Sequence, residues 1–324
     1  MCTAVTYKTK DHYFGRTLDL EYCYEESVTI TPRNYPFRFR RVKPMETHFA
    51  MIGMAYVVHD YPLYYEAMNE KGLAMAGLNF PGNADYKAEA AGKDNVAPFE
   101  FIPYVLGQCE NLQEVKALLC NINLVNVNFS ESLPLSPLHW MISDREASIV
   151  VESVKEGLKI YDNPVGVMTN NPPFDLQLFN LRNYMSLSPY QPKNSFAKEL
   201  NLITYSNGMG AMGLPGDLSS QSRFVKAAYT RMNSFSGSTE SESISQFFHI
   251  LGSVFQQRGC VHVHEDKFEV TAYACCCNTD RGIYYYTTYE NSQITAVDMH
   301  RESLNDSKLI SYQLIKGQQI RYQN

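Results

Sequence analysis

The chain has 324 residues, 44% of them hydrophobic, which is ample for a large buried core. A formal charge of −6 with scattered basic residues speaks against nucleic acid or an anionic membrane as partner. No apolar run approaches the roughly 18 residues of a membrane span, and Met1-Cys-Thr-Ala-Val-Thr-Tyr-Lys lacks the basic and apolar stretches of a secretory signal, so a cytoplasmic chain is expected.

Cys2 comes first in chain order, and it is small enough for Met1 to be trimmed from it. It would then carry a thiol, with a reference pKa of about 8.5, beside an α-amine at about 7.7–8.0. The amine can take the thiol proton near neutrality, so one residue supplies attacker and base, titrating as a coupled pair. Taken alone, a cysteine here is weak evidence for catalysis, and a packing or disordered residue is the better reading. In Phe14-Gly-Arg-Thr-Leu-Asp, Arg16 and Asp19 interrupt a strand-like run that turns back on the first. A guanidinium near a thiol favours thiolate, and a carboxylate can hold an amine; the plain alternative is a surface ion pair. Arg38, Arg40, Arg41 and Lys43 read as a solvated edge.

Asn79 and Asn170 both end hydrophobic runs. An asparagine there can aim an N–H at a developing oxyanion, although Pro81 and Pro172 also make each a fitting turn residue. The spacing predicts a helix over Pro98–Leu106 and another over Leu112–Leu119, capped by Asn111 with Glu114 in capping-box position. Short β-like runs follow at Ser148–Val154, Leu158–Asp162 and Val165–Thr169, with a turn at Asp162-Asn-Pro. A third helix is expected over Arg223–Met232. A fourth covers Ile244–Val254, with Thr239 and Glu242 as capping box and Ile244, Phe247, Phe248 and Leu251 as its apolar face. Val270–Cys277 and Gly282–Tyr289 read as strands, and Lys308–Asn324 as a closing strand and tail. Many strands and few helices, without βαβ alternation, indicate an α+β fold, in one domain over residues 1–324.

Several other signals point to no further chemistry. Gly208-Met-Gly-Ala-Met-Gly lacks the helix and following acid of a dinucleotide site. His262-Val-His-Glu265 could place two imidazoles on one strand face, but Asp266-Lys267 indicate a polar turn, so no metal is expected. His139, His249 and His59 stand in apolar contexts and read as core or interface residues. The eight cysteines, at 2, 23, 109, 120, 260 and 275–277, are expected to be free thiols, the last three buried in a strand.

Together these residues resemble the choloylglycine hydrolase family, which contains bile salt hydrolases and penicillin V acylases. The matching segments are Met1-Cys-Thr, Phe14-Gly-Arg-Thr-Leu-Asp, Thr31-Pro-Arg-Asn-Tyr, Asn69-Glu-Lys-Gly-Leu and Gly77-Leu-Asn-Phe-Pro. Leu138-His-Trp-Met-Ile-Ser-Asp, Thr169-Asn-Asn-Pro, Gly213-Leu-Pro-Gly-Asp, Ser222-Arg-Phe and Tyr284-Tyr-Tyr-Thr-Thr-Tyr-Glu-Asn continue it, in order, across nearly the whole chain. Val254-Phe-Gln-Gln-Arg-Gly and the run of three cysteines depart from the family pattern.

The resemblance implies an N-terminal-nucleophile αββα sandwich and no cofactor. It implies Cys2 as nucleophile with its own amine as base, Arg16 stabilising the sulfur, Asp19 holding the amine, Asn170 and Asn79 as oxyanion donors, and Arg223 completing the polar network. Leu18, Tyr24, Val58, Phe129, Leu133 and Leu138 are its candidates for an apolar substrate wall. The implied substrates are conjugated bile salts, since penicillin V acylases of the family often carry Tyr where Asn79 stands. A penicillin V or other N-acyl amide acylase is the alternative within the family, and a non-catalytic sterol-binding protein the alternative outside it. A homotetramer is the assembly the resemblance implies.

Overall fold

The computed structural model describes residues 1–22, 24–264 and 266–324; Cys23 and Glu265, both named above, lie outside the described residues. Two antiparallel sheets dominate. One has six strands in the order Val167–Met168, Cys2–Lys8, His12–Leu20, Val270–Asn278, Ile283–Thr288 and Asn291–Asp298. The other has eight, in the order Gly157–Asp162, Ser148–Val154, Leu138–Ser143, Ala74–Asn79, Tyr61–Asn69, Met51–Val58, Ser27–Thr31 and Ile310–Gln313.

Helices cover both outer faces, which makes the αββα layering expected from the resemblance. Ser220–Asn233 and Glu240–Gly252 lie against the first sheet, and Phe101–Leu106 lies against the second. One apolar cluster fills the space around the first sheet; a second lies between the eight-stranded sheet and Phe101–Leu119. The strand Cys2–Lys8 is therefore buried on both faces over its first six residues. That is why it shows no alternation of polar and apolar residues.

The expected helices are present with shifted ends. Asn111 accepts from the Glu114 N–H as N-cap of Leu112–Leu119, but Glu114 returns its carboxylate to the N–H of Glu110 rather than to that of Asn111. Thr239 and Glu242 make the full reciprocal box, so the last helix starts at Glu240, four residues before its apolar stripe, and stops at Gly252. Pro98–Leu106 divides into a 3-10 turn, Pro98–Glu100, and the helix Phe101–Leu106. The third helix is longer than expected, Ser220–Asn233, because Ser219 caps it.

Val165–Thr169 is a strand only over Val167–Met168. The Asn163 side chain bridges the Gly166 N–H and the Val167 carbonyl, holding the preceding residues in a turn. The helix Phe174–Leu181 had no expectation behind it. Its available signal was Asp175 in the first turn.

Candidate active site

The register of the first hairpin sets the site. Cys2 pairs with Leu18, Thr3 with Thr17 and Ala4 with Arg16. Directly paired residues project to one face, so Cys2 and Arg16 share the face toward the second sheet. Thr3, Thr17 and Asp19 face the helices. Gly15 permits the close approach of the next strand, since a Cβ there would fall 1.9 Å from the Cys275 carbonyl oxygen.

Arg16 reaches the sulfur from between the sheets. Its Nη2 lies 2.5 Å from Cys2 Sγ, while Nη1 donates to the Gly77 carbonyl at 2.6 Å and Nε to the Thr17 carbonyl at 3.1 Å. Both residues are buried, with Cys2 3% and Arg16 1% exposed. The surface ion pair with Asp19, the plain alternative in the sequence, is therefore not what forms. Behind Arg16 stands Glu66, its Oε2 3.7 Å from Arg16 Nε, accepting from the hydroxyls of Tyr273 (2.7 Å) and Tyr284 (2.6 Å). Burial pushes the Glu66 carboxyl above its ordinary value, against Arg16 and the two phenols. Burial also pulls Arg16 down, but Cys2, Tyr273 and Glu66 outweigh it and hold the guanidinium above its ordinary value.

Arg223, from the helix Ser220–Asn233, approaches the same residue from the opposite side. Its Nη1 donates to the Cys2 carbonyl and to Thr3 Oγ1, both at 2.6 Å, and its Nη2 donates to Asn170 Oδ1 at 2.9 Å. That Oδ1 also accepts from the Cys2 nitrogen at 2.8 Å, and Asn170 Nδ2 donates to the Asn79 carbonyl at 2.7 Å. Two donors on one atom and an acceptor on the other leave the amide a single consistent orientation.

The Asp19 carboxylate, fully buried, accepts from Thr271 Oγ1 at 2.7 Å and Thr17 Oγ1 at 3.2 Å. Burial raises its pKa, opposed by Arg223 and the amino terminus. With Met1 in place, the Cys2 nitrogen is a peptide nitrogen, and the Met1 amine donates to the Asp19 carbonyl (2.6 Å) and pairs with Glu269. Burial lowers the pKa of that amine.

Cys2, Arg16, Asn170 and Arg223 are thus one bonded cluster. Asn79 joins it through its backbone carbonyl, with its side chain at the exposed end of its strand. Among the wall candidates, Leu18 is paired with Cys2 and Leu138 with Asn79. Val58 ends its strand opposite Tyr61, at the same end of the eight-stranded sheet. Tyr24 stacks edge-on with Tyr22 and tilted on Tyr56. Phe129 packs on Phe99 and Tyr61, while Leu133 is half-buried in the same connection. Arg40 is exposed, as a solvated edge requires, and it also lies over the rings of Phe99 and Phe129 and donates to the Phe129 carbonyl. Arg38 and Arg41 do make exposed ion pairs, with Glu46 and Glu89. Glu66 and Thr271 were missed in the sequence. A glutamate inside the hydrophobic run Tyr64–Met68 was the available signal for the first, and nothing local marks the second.

A sequence model described as linear amide C–N hydrolases, choloylglycine hydrolase family, matches residues 2–312. The chain is 60% identical over 314 residues to the bile salt hydrolase/transferase of Lactiplantibacillus plantarum, covering 97% of each chain. Its structure resembles a conjugated bile acid hydrolase from Clostridium perfringens with a TM-score of 0.93 at 39% identity, covering all of both chains. Penicillin V acylase from Agrobacterium tumefaciens shares the fold, with a TM-score of 0.77 at 19% identity over 97% of this chain and 92% of that one.

Proposed function

The chain belongs to the choloylglycine hydrolase family of linear amide C–N hydrolases, and from that premise we propose that it cleaves the amide bond of glycine- or taurine-conjugated bile acids through Cys2. The observation that carries the mechanism is the Cys2 Sγ on the Arg16 guanidinium while the nitrogen of the same residue rests on Asn170. The substrate class follows from the relatives of 60% and 39% identity, which are described as bile salt and conjugated bile acid hydrolases.

Removal of Met1 turns the Cys2 nitrogen into an α-amine already seated on Asn170. That amine takes the thiol proton, and Arg16 favours the thiolate left behind. Sulfur adds to the amide carbonyl, and the oxyanion is met by the second N–H of the Asn170 amide and by the Asn79 amide. Asp19, tied through Thr17 and Thr271, supports the positive charge that Arg223 and the ammonium bring to this side. Collapse breaks the C–N bond, and the departing nitrogen of glycine or taurine takes the proton from the α-ammonium. Water, deprotonated by the amine, then hydrolyses the thioester and releases the bile acid. Passing the acyl group to an amine instead of water would match the transferase half of the relative's description.

The described cysteines are free thiols, which fits a reducing cytoplasm. Among the described residues no helix is long and apolar enough to cross a membrane. The segment between Met185 and Met212 exposes Tyr190, Phe196, Ile203 and Tyr205 almost fully. Apolar surface of that extent fits burial against further copies of the chain.

The test is release of free glycine or taurine from conjugates by purified protein, beside penicillin V, with Cys2→Ser as control. Turnover of conjugates should fall at least about 10³-fold in Cys2→Ser with folding intact. A strong preference for penicillin would overturn the substrate. Binding of bile salt without amine release would revive a sterol-binding role. Full activity in a chain with a blocked amino end would overturn the base.

A further inference from the structure

His139 lies behind the two asparagines and touches the chain beside each of them. Its Nε2 lies 2.8 Å from the Thr169 carbonyl oxygen, in the peptide unit that leads into Asn170. Its ring stacks on Phe80, the residue after Asn79, with centroids 4.2 Å apart and planes 5° from parallel. Its Nδ1 lies 3.1 Å from Glu152 Oε1, and that oxygen also accepts from the N–H of Phe174. His139 is 1% and Glu152 0% exposed.

The protonation follows from the partners. A carbonyl can only accept, so Nε2 carries a proton, and a second proton is held between Nδ1 and Glu152. The pair is neutral as a unit, which is how two such groups tolerate full burial. Glu152 Oε2 is buried and has no hydrogen-bond partner among the described residues. The carboxyl is thus compensated through its other oxygen, by His139 and one backbone N–H. Neither group touches Cys2, Arg16 or Arg223 among the described contacts.

We infer that His139, held by Glu152, is a positioning residue for the oxyanion donors. It fixes the peptide plane in front of Asn170 by a hydrogen bond and the residue behind Asn79 by stacking, while the Asn170–Asn79 hydrogen bond joins the two. Because a peptide is planar, holding the Thr169 carbonyl restrains the Asn170 Cα directly. A donor displaced by about 1 Å loses on the order of 10²-fold in rate. The inference rests on the reading of Asn79 and Asn170 as donors to the acyl oxygen.

The experiment separates attack from oxyanion stabilisation in the processed enzyme. His139→Phe keeps the stack on Phe80 and removes both hydrogen bonds; His139→Gln restores a donor toward Thr169. For each, kcat and KM are measured on a glycine conjugate, and the rate of iodoacetamide alkylation is read on the N-terminal peptide. Alkylation needs the thiolate but forms no oxyanion. Expected is a fall in kcat of about 10²-fold in His139→Phe, with KM and alkylation within about twofold, and partial recovery in His139→Gln. An unchanged kcat, or alkylation falling in step with it, would overturn the assignment. Should His139→Phe not fold, Glu152→Gln, which preserves volume, takes its place: the same selective fall in kcat supports the assignment, and an unchanged kcat or a parallel fall in alkylation overturns it. Asn170→Ala run alongside keeps the two readings apart: full turnover there sinks the oxyanion role itself, whereas loss there with full turnover in the His139 variants sinks only this inference.

Discussion

Arg16 Nη2 and Cys2 Sγ meet at 2.5 Å in a space closed to solvent, on residues that the hairpin register places one pair apart on the same face. A positive charge that close, with little water to screen it, stabilises thiolate far more than thiol. Arg16 Nε and Nη1 donate to the backbone carbonyls of Thr17, Tyr65 and Gly77, so its position is held by contacts other than the sulfur.

Arg16→Gln should therefore slow iodoacetamide alkylation of Cys2 at neutral pH by about 10-fold or more. The check is the alkylation rate read on the N-terminal peptide, parent and variant side by side at one pH. An unchanged rate would mean that Arg16 does not govern the thiolate.

Glu66→Gln should have the opposite effect and speed that alkylation, by less than about 10-fold. The Glu66 carboxylate and the sulfur share one guanidinium, and neutralising the carboxylate leaves its field to the sulfur. Tyr273 and Tyr284 keep one acceptor between them, so the cost in stability should be about 1–3 kcal/mol. Slower alkylation would show that Glu66 acts by orienting Arg16 instead.

His12 gives a pH dependence of stability unrelated to the site. Burial pulls its pKa from 6.5 down to about 4, and its ring nitrogens bond to Thr279 and Ser143. The unfolded chain takes up a proton first as pH falls. His12 therefore costs nothing above pH 6.5, and its penalty grows as pH drops toward 4. His12→Gln should lose less stability than the parent between pH 7 and pH 4, by up to about 3 kcal/mol. Parallel denaturation curves for the two proteins at both pH values would refute this.

The exposed segment offers a test of assembly. Phe196 and Tyr205 are 82% and 80% exposed and take no part in the site. Phe196→Ser with Tyr205→Ser should lower the mass seen by light scattering while leaving Tm and turnover per site near the parent values. A monomeric parent protein would remove the basis for self-association.

Local chemistry made much of this protein legible without coordinates. The caps at Asn111 and Thr239, the apolar face from Ile244 and the strand Ser148–Val154 depend on neighbours within a few residues, so their signals are in the chain itself. The ordered motifs from Met1-Cys-Thr to Tyr284-Tyr-Tyr likewise pointed to the family and to Cys2, Arg16, Asp19, Asn79, Asn170 and Arg223.

Other features were decided only when the sheets closed. Arg223 meets Cys2 across 221 positions, and the Asp19 carboxylate meets Thr271 across 252. That Arg16 turns to the sulfur and Glu66 while Asp19 turns to Thr17 and Thr271 is set by alternation along one strand. Which face becomes interior depends on the partner sheet and on the helices laid over it. A residue such as His139 reads in the sequence as an ordinary core histidine. Its contacts with Thr169, Phe80 and Glu152 exist only because strand order brings three distant segments to one ring.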